Sequence, residues 1–179
     1  MAVIARTAAS LALVLLLAAC QRDPTLPALS SDAVILAFGD SLTYGTGADR
    51  GQSYPDVLAE LTGRQVINAG VPGEVTAQGR ERLPAMLDKY QPELLILLHG
   101  GNDLLRRHDP QQAADNIRAM VREARDRGYS VLLVGVPRPG LWLESAAFYE
   151  DVAREFTIPL EADIVAVVEG DAELKSDPI

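Results

Sequence analysis

The stretch AVILAFGDSL, residues 33–42, combines an uninterrupted apolar run with a polar, glycine-containing turn at its end. Two later stretches have the same form, LLILLHGGND at residues 94–103 and VLLVGVPRPG at residues 131–140. Strands that are covered on both faces are apolar throughout and do not alternate with polar residues. The three runs therefore predict buried strands at residues 33–38, 94–98 and 131–136, with shorter candidates at residues 65–68 and 157–160.

Helix-like segments separate these strands, at residues 53–61, 76–90, 110–127 and 145–156. The third segment has apolar residues at three- and four-residue intervals, which give a helix one apolar face: Ala113, Ile117, Met120, Val121 and Ala124. Strands that alternate with helices predict a three-layer α/β/α domain around a flavodoxin-like parallel sheet. In such sheets the ligand site lies at the carboxyl ends of the strands.

Three residues that suit acyl-transfer chemistry follow three different predicted strands. Ser41 follows the first and offers a nucleophilic hydroxyl, Gly73 follows the second, and Asn102 follows the third. Serine attack on a carbonyl creates an oxyanion, which needs donors already aimed at it. The backbone N–H groups of Ser41 and Gly73 and the Asn102 amide are the candidates, and Asp40 and Asp103 are interpreted as structural carboxylates.

Each of these residues also has a purely structural interpretation. Ser41 could be a helix N-cap, Gly73 could serve only the turn made with Val71 and Pro72, and Asn102 could cap a segment that begins at Asp103. These alternatives stay open at the level of sequence.

The motifs GDSL at residues 39–42, Gly73, and GGND at residues 100–103 resemble the first three sequence blocks of the SGNH (GDSL) hydrolases. The nearest types are bacterial thioesterase I/lysophospholipase L1 and the arylesterases. The resemblance implies the SGNH hydrolase fold and a serine esterase that cleaves carboxylic esters or thioesters through an acyl-enzyme on Ser41, without a cofactor. Its substrate would be a small-molecule ester or thioester, which lipids could supply.

The fourth block of that family is an aspartate followed, three residues later, by the catalytic histidine. Asp177 matches the aspartate, and the sequence stops at Ile179, one residue before the histidine position. The resemblance therefore implies a chain that lacks its C-terminal helix and, in this 179-residue form, most or all of its activity. The alternative is a polar tail with a chance aspartate.

His99 and His108 are the only histidines, and neither is expected to replace the base. His99, at the end of a strand, is interpreted as a packed or hydrogen-bonded core residue, and His108 as part of a solvated loop. No catalytic metal is expected, because the chain has no metal-binding spacing of histidine and cysteine. The resemblance also makes Leu141, Trp142 and Leu143 candidates for an acyl pocket, with core packing as the alternative.

The N-terminal residues predict export. Arg6 precedes an apolar run too short to span a bilayer, which indicates a signal peptide over residues 1–19. LAAC at residues 17–20 resembles a bacterial lipobox, which would make Cys20 the lipidated N-terminus; an incidental cysteine is the alternative. Residues 20–31 would form a tether, and residues 32–179 an incomplete hydrolase domain. The protein would sit on a cell-envelope membrane and face the periplasm or the exterior.

The composition excludes one class of partner, and two other functions remain. A net charge of −9 and a pI near 4.7 argue against nucleic-acid binding, which needs a clustered positive surface. If the chain truly ends at residue 179, an inactive lipoprotein that binds or scaffolds becomes the leading interpretation. A flavodoxin-like module that cradles a phosphate with residues 41–47 is the other alternative.

Overall fold

A computed structural model of the chain describes residues 24–138, 144–171 and 174. Within this part, five parallel strands form one sheet in the order β2-β1-β3-β4-β5. The strands are β1 (Val34–Gly39), β2 (Gln65–Gly70), β3 (Leu94–Leu98), β4 (Ser130–Val134) and β5 (Leu160–Glu161). This is the strand order of flavodoxin-like sheets, so the predicted fold class is confirmed.

The two central strands are the most apolar. All five residues of β3 are buried, and so are the last five of β1. β1 pairs with β2 and β3 at once, with Ile35 aligned to Val66 on one side and to Leu94 on the other. Because β1 and β3 both lie inside the sheet and carry large aliphatic side chains, they form the centre of the hydrophobic core.

Seven helices flank the strands in the described residues. They are α1 (Ser41–Tyr44), α2 (Tyr54–Thr62), α3 (Thr76–Tyr90), α4 (Gly101–Leu105), α5 (Pro110–Asp126), α6 (Phe148–Phe156) and α7 (Ile164–Gly170). The predicted apolar stripe of α5 is confirmed, because all five of its residues are buried. Helix α3 contacts β1 and α5, and α6 contacts α5, β4 and β5.

The structure corrects some predicted boundaries. The last predicted helix begins at Phe148, not at residue 145, because Ser145 forms an antiparallel bridge with Pro137. The last strand lies later than predicted and contains only Leu160 and Glu161. Helices α1, α4 and α7 were not predicted.

The part of the predicted tether nearest the domain contacts the domain directly. Leu26 and Leu29 pack against the core, and the Ser30 N–H and Oγ donate to the Glu93 carboxylate at 2.9 and 2.6 Å. Arg64 Nε donates to the Ser30 carbonyl at 2.8 Å. The contacts of the domain therefore begin before residue 32. The predicted signal peptide and Cys20 lie outside the described residues, and none of the described helices is long and apolar enough to cross a membrane.

Candidate active site

Ser41 is the first residue of α1, immediately after the carboxyl end of β1. The N-cap of this helix is Asp40, whose Oδ1 accepts from the Leu42 N–H at 3.1 Å. The N-cap interpretation of Ser41 is therefore wrong. Ser41 is half-buried, and neither its N–H nor its Oγ has a hydrogen-bond partner among the described residues. Both groups are available to a substrate.

Gly73 lies in the loop after β2, in a turn closed by the Glu74 N–H, which donates to the Val71 carbonyl at 3.1 Å. Its φ of 76° lies in the left-handed region that favours glycine, so the turn interpretation is confirmed. The same turn leaves the Gly73 N–H without a partner in the described part of the chain. Turn formation and oxyanion binding are therefore compatible at this residue.

Asn102 joins the loops that carry the other two residues. It lies inside α4, which begins at Gly101, so its interpretation as a helix cap is wrong. Its Nδ2 donates to Asp40 Oδ2 at 3.2 Å and to the Glu74 carbonyl at 3.1 Å. Asp40 precedes Ser41 and Glu74 follows Gly73, so one amide nitrogen contacts the chain neighbours of both predicted donors. The three predicted site residues are thereby brought together.

Both Nδ2 hydrogens of Asn102 are already engaged, which sequence reasoning did not anticipate. The two N···O distances are at the long end of the range for such bonds. An oxyanion would therefore share this amide with Asp40 or with the Glu74 carbonyl. The backbone N–H groups of Ser41 and Gly73 have no such competitor in the described residues.

Two buried carboxylates support the site, as the sequence analysis predicted for them. Burial raises the pKa of Asp40 above its usual value, although the bonds from Leu42 and Asn102 oppose this. Asp103 accepts from the Thr76 N–H at 2.8 Å and from Thr76 Oγ1 at 2.7 Å, at the start of α3. Asn116 of α5 donates to the same Thr76 Oγ1 at 3.1 Å. The structural roles of Asp40 and Asp103 are confirmed.

Neither histidine is placed to act as the base on Ser41. His99 is fully buried, and its Nε2 lies 3.1 Å from Glu74 Oε2, which confirms the packed and hydrogen-bonded interpretation. The His108 side chain is about half exposed, and its Nδ1 lies 3.9 Å from Asp103 Oδ1.

Glu74 and Arg82 are the residues that the sequence analysis missed. Glu74 is 6% exposed, and Arg82 of α3 donates to both of its carboxylate oxygens, at 2.8 and 2.7 Å. Burial alone would raise the pKa of Glu74, but the hydrogen bonds from His99 and Arg82, together with the positive charge of Arg82, lower it from 4.5 to about 2. The only sequence signal for Glu74 was its place directly after Gly73, the candidate oxyanion glycine. An acidic residue in that place does not by itself indicate a buried carboxylate.

Two cavities adjoin the site. An apolar cavity of about 320 Å³ lies beside Leu42 and is lined by Leu98, Val134 and three α7 residues, Ile164, Val165 and Val168. A more polar cavity of about 310 Å³ lies beside Gly73, where Arg106 Nη2 donates to the Gly73 carbonyl at 2.8 Å. The candidate acyl-pocket residues Leu141, Trp142 and Leu143, and Asp177, lie outside the described residues.

Known proteins are similar to this chain in sequence and in fold. A family model described as the GDSL-like lipase/acylhydrolase family matches residues 37–167. Esterase TesA of Pseudomonas aeruginosa is 34% identical over 130 residues, which cover 70% of this chain and 65% of TesA. Thioesterase 1/protease 1/lysophospholipase L1 of Escherichia coli K12 is 30% identical over 143 residues, which cover 76% of this chain and 68% of that protein. The chain thus spans about two thirds of the length of these curated relatives.

A solved structure agrees with the sequence matches. The crystal structure of AlinE4, a SGNH-hydrolase family esterase, superposes with a TM-score of 0.74 at 34% identity. The match covers 85% of this chain and 87% of AlinE4.

Proposed function

The chain belongs to the GDSL-like lipase/acylhydrolase family, and from that premise we propose that it is a serine esterase acting on carboxylic esters or thioesters. The observation that carries the proposal is the position of the Asn102 amide. It bonds at once to the residue before Ser41 and to the residue after Gly73. We propose that the Ser41 hydroxyl, two unpartnered backbone N–H groups and this carboxamide together bind the carbonyl group of the substrate.

In the proposed reaction, Ser41 Oγ attacks the carbonyl carbon while a general base removes the hydroxyl proton. The negative charge that develops on the carbonyl oxygen is stabilised by the N–H groups of Ser41 and Gly73 and by the Asn102 amide. The leaving group departs with the proton, and water then hydrolyses the acyl-enzyme. The base is assigned to a histidine immediately beyond Ile179, oriented by Asp177, and this assignment stays a prediction.

The alternative of a phosphate cradle at residues 41–47 is not supported by the backbone there. The Leu42 N–H is bonded to the Asp40 side chain, and the Tyr44 N–H to the Asp40 carbonyl. The N–H groups of Gly45 and Thr46 both donate to the Ser41 carbonyl. A phosphate cradle needs several free N–H groups, and four in this segment are already paired.

Labelling of the complete gene product with a fluorophosphonate probe tests the proposed function. We expect one label per chain and hydrolysis of p-nitrophenyl butyrate, and we expect Ser41→Ala to abolish both. Ser130→Ala is the matched control, because Ser130 begins β4, at the opposite end of the sheet from the site. A protein that neither labels nor hydrolyses the ester would favour the inactive, binding lipoprotein instead.

The acyl group of the substrate is proposed to be apolar. The cavity beside Leu42 supports this, because its lining is apolar and includes the residue that follows the proposed nucleophile. We expect Val168→Trp, which narrows this cavity, to reduce hydrolysis of octanoate esters more than of acetate esters. Trp142→Ala would instead change the chain-length profile if Leu141, Trp142 and Leu143 hold the acyl chain.

The protein is further proposed to be attached by lipid at Cys20 to a cell-envelope membrane. Support comes from the sequence alone, from the apolar run followed by LAAC at residues 17–20. Acyl chains on that residue would anchor the domain without a membrane-spanning helix.

A further inference from the structure

Glu74 occupies a site built around its charge. The side chain is almost fully buried, and an ionised carboxylate is costly to bury unless partners replace its water. Arg82 supplies two hydrogen bonds, and His99 Nε2 lies 3.1 Å from Oε2. Arg82 is itself held by the Ala69 carbonyl at 3.0 Å and lies over the Phe38 ring, 4.0 Å from its centroid. The carboxylate is therefore fixed from two elements, α3 and the end of β3.

Packing alone does not account for a histidine at position 99. An ionised carboxylate can only accept hydrogen bonds, so Nε2 carries the proton that faces Glu74. Nδ1 is buried and has no hydrogen-bond partner in the described structure, which costs free energy. A leucine of similar volume would fill the same space without that cost. The hydrogen bond from Nε2 to Glu74 is what the histidine adds.

This hydrogen bond joins the two chain segments that carry two of the three proposed oxyanion donors, the loop after β2 with Gly73 and the segment after β3 with Asn102. Glu74 follows Gly73 directly, and His99 is three residues before Asn102. The same loops are also joined by the Asn102 amide on the Glu74 carbonyl. From α6, Tyr149 Oη donates to the His99 carbonyl at 2.8 Å and so also holds the segment after β3.

We propose that His99 is a positioning residue, which sets the spacing between the Gly73 N–H and the Asn102 amide through its hydrogen bond to Glu74. The inference rests on the proposed esterase function. Displacements of about 1 Å between catalytic groups can lower rates by about 100-fold, so a link between two donor loops matters for catalysis.

His99→Leu and His99→Gln separate positioning from packing. Leucine fills a similar volume with apolar atoms but has no hydrogen-bond donor for Glu74. Glutamine keeps an N–H donor and is less suited to a buried site. Kinetics on p-nitrophenyl butyrate and melting temperatures are measured on the complete gene product. We expect His99→Leu to lower kcat about 10-fold or more, the order expected for a misplaced donor, with KM changed less than about two-fold. His99→Gln should retain more kcat than His99→Leu even if it melts at a lower temperature.

The control is Met120→Leu, a buried change of similar volume in α5 that should leave kcat unchanged. The inference is overturned if kcat simply follows the melting temperature, so that the kcat of His99→Leu equals or exceeds that of His99→Gln. Should His99→Leu fail to fold, Glu74→Met against Glu74→Gln repeats the comparison from the other partner. There, Gln should retain kcat and Met should lose it, and equal kcat values would overturn the inference.

Assays of the parent protein and of Ser41→Ala under the same conditions distinguish a failure of the proposed esterase function from a failure of the inference about His99. A parent without Ser41-dependent hydrolysis overturns the proposed function, and the inference with it. An active parent in which the leucine variant keeps its full kcat overturns the inference alone.

Discussion

At the scale of single residues, the proposed oxyanion donors are of two kinds. The N–H groups of Ser41 and Gly73 are fixed by the backbone and have no competing acceptor in the described residues. The Asn102 amide is held in place by two acceptors that a substrate must partly displace. Such donors are effective because they are held in place before the reaction. The two acceptors hold the Asn102 amide in place, but they also weaken the hydrogen bond that it can donate to an oxyanion.

The first residue-scale prediction concerns Asn102. Asn102→Ala removes one donor and the link between the two loops, so we expect kcat on p-nitrophenyl butyrate to fall about 100- to 1,000-fold. The measurement is steady-state kinetics on the complete gene product. Fluorophosphonate labelling of Ser41 should also slow, because it too builds negative charge on an oxygen. Unchanged kcat would remove Asn102 from the proposed oxyanion hole.

The second residue-scale prediction concerns the effect of Glu74 ionisation on the pH dependence of the unfolding free energy. The folded-state pKa of about 2 lies below the ordinary 4.5, so the unfolded chain binds more protons between these values. Glu74 therefore adds stability above pH 4.5, about 3 kcal/mol at most, and this is lost as the pH falls toward 2. Urea unfolding from pH 6 to pH 2.5 should show a shallower decline of unfolding free energy in Glu74→Gln than in the parent. Parallel curves would contradict this.

The residue-scale features were only partly accessible from the sequence. Ser41, Gly73 and Asn102 could be placed because each follows a strand, and parallel strands end at one edge of the sheet. Glu74 and Arg82 could not, since nothing in the spacing of the two residues indicates that the sheet edge buries both. The double engagement of the Asn102 amide depends on tertiary distances that no sequence pattern contains.

At the scale of elements, one buried hydrogen-bond network holds the first turn of α3 to the first turn of α4. The Asp103 carboxylate of α4 accepts from both the N–H and the hydroxyl of Thr76, the first residue of α3. Asn116 brings α5 into the same network. Because α3 also carries Arg82, this network fixes the helix that holds Glu74.

The element-scale prediction is a change at Asp103. Asp103→Ala leaves two buried donors of Thr76 without an acceptor, which should lower the free energy of unfolding by about 2–4 kcal/mol. Asp103→Asn keeps one acceptor oxygen and should cost about half as much. Urea unfolding monitored by circular dichroism is the measurement. The control Asp115→Ala removes an exposed ion pair with Arg118 and should cost less than about 1 kcal/mol.

Element prediction from sequence worked where the pattern was long. The bounds of α3, Thr76–Tyr90, and β3, Leu94–Leu98, agree with the predicted ranges to the residue. Helices α1, α4 and α7 have only four, five and seven residues, too few turns to show an apolar periodicity. The strand β5 has two residues and is defined by its pairing with β4, which is a tertiary property.

At the scale of the whole molecule, the acidic charge and the N-terminal residues bear on where the protein works. A net charge of −9 gives no attraction to anionic lipid surfaces. Attachment to a membrane would therefore depend on acyl chains at Cys20, each buried methylene contributing about 0.8 kcal/mol.

The whole-molecule prediction follows from this. In cells that express the complete gene product, Cys20→Ser should move the protein from the membrane fraction to the soluble fraction and abolish incorporation of labelled palmitate. Ser31→Ala, in the predicted tether, is the matched control and should leave both unchanged. Palmitate incorporation that persists in Cys20→Ser would contradict lipidation at this residue.

A side chain at position 79 of α3 would occupy the space that is filled by the side chain of His99, the residue after β3. A Cβ at Gly79 would lie 2.5 Å from His99 Nε2, so the helix admits the imidazole only because it has no side chain there. Substitutions at the two positions are therefore expected to be coupled over evolutionary time. Homologues that acquire alanine or serine at position 79 should carry a shorter side chain at position 99, and a statistical survey of paired substitutions would show this as covariation.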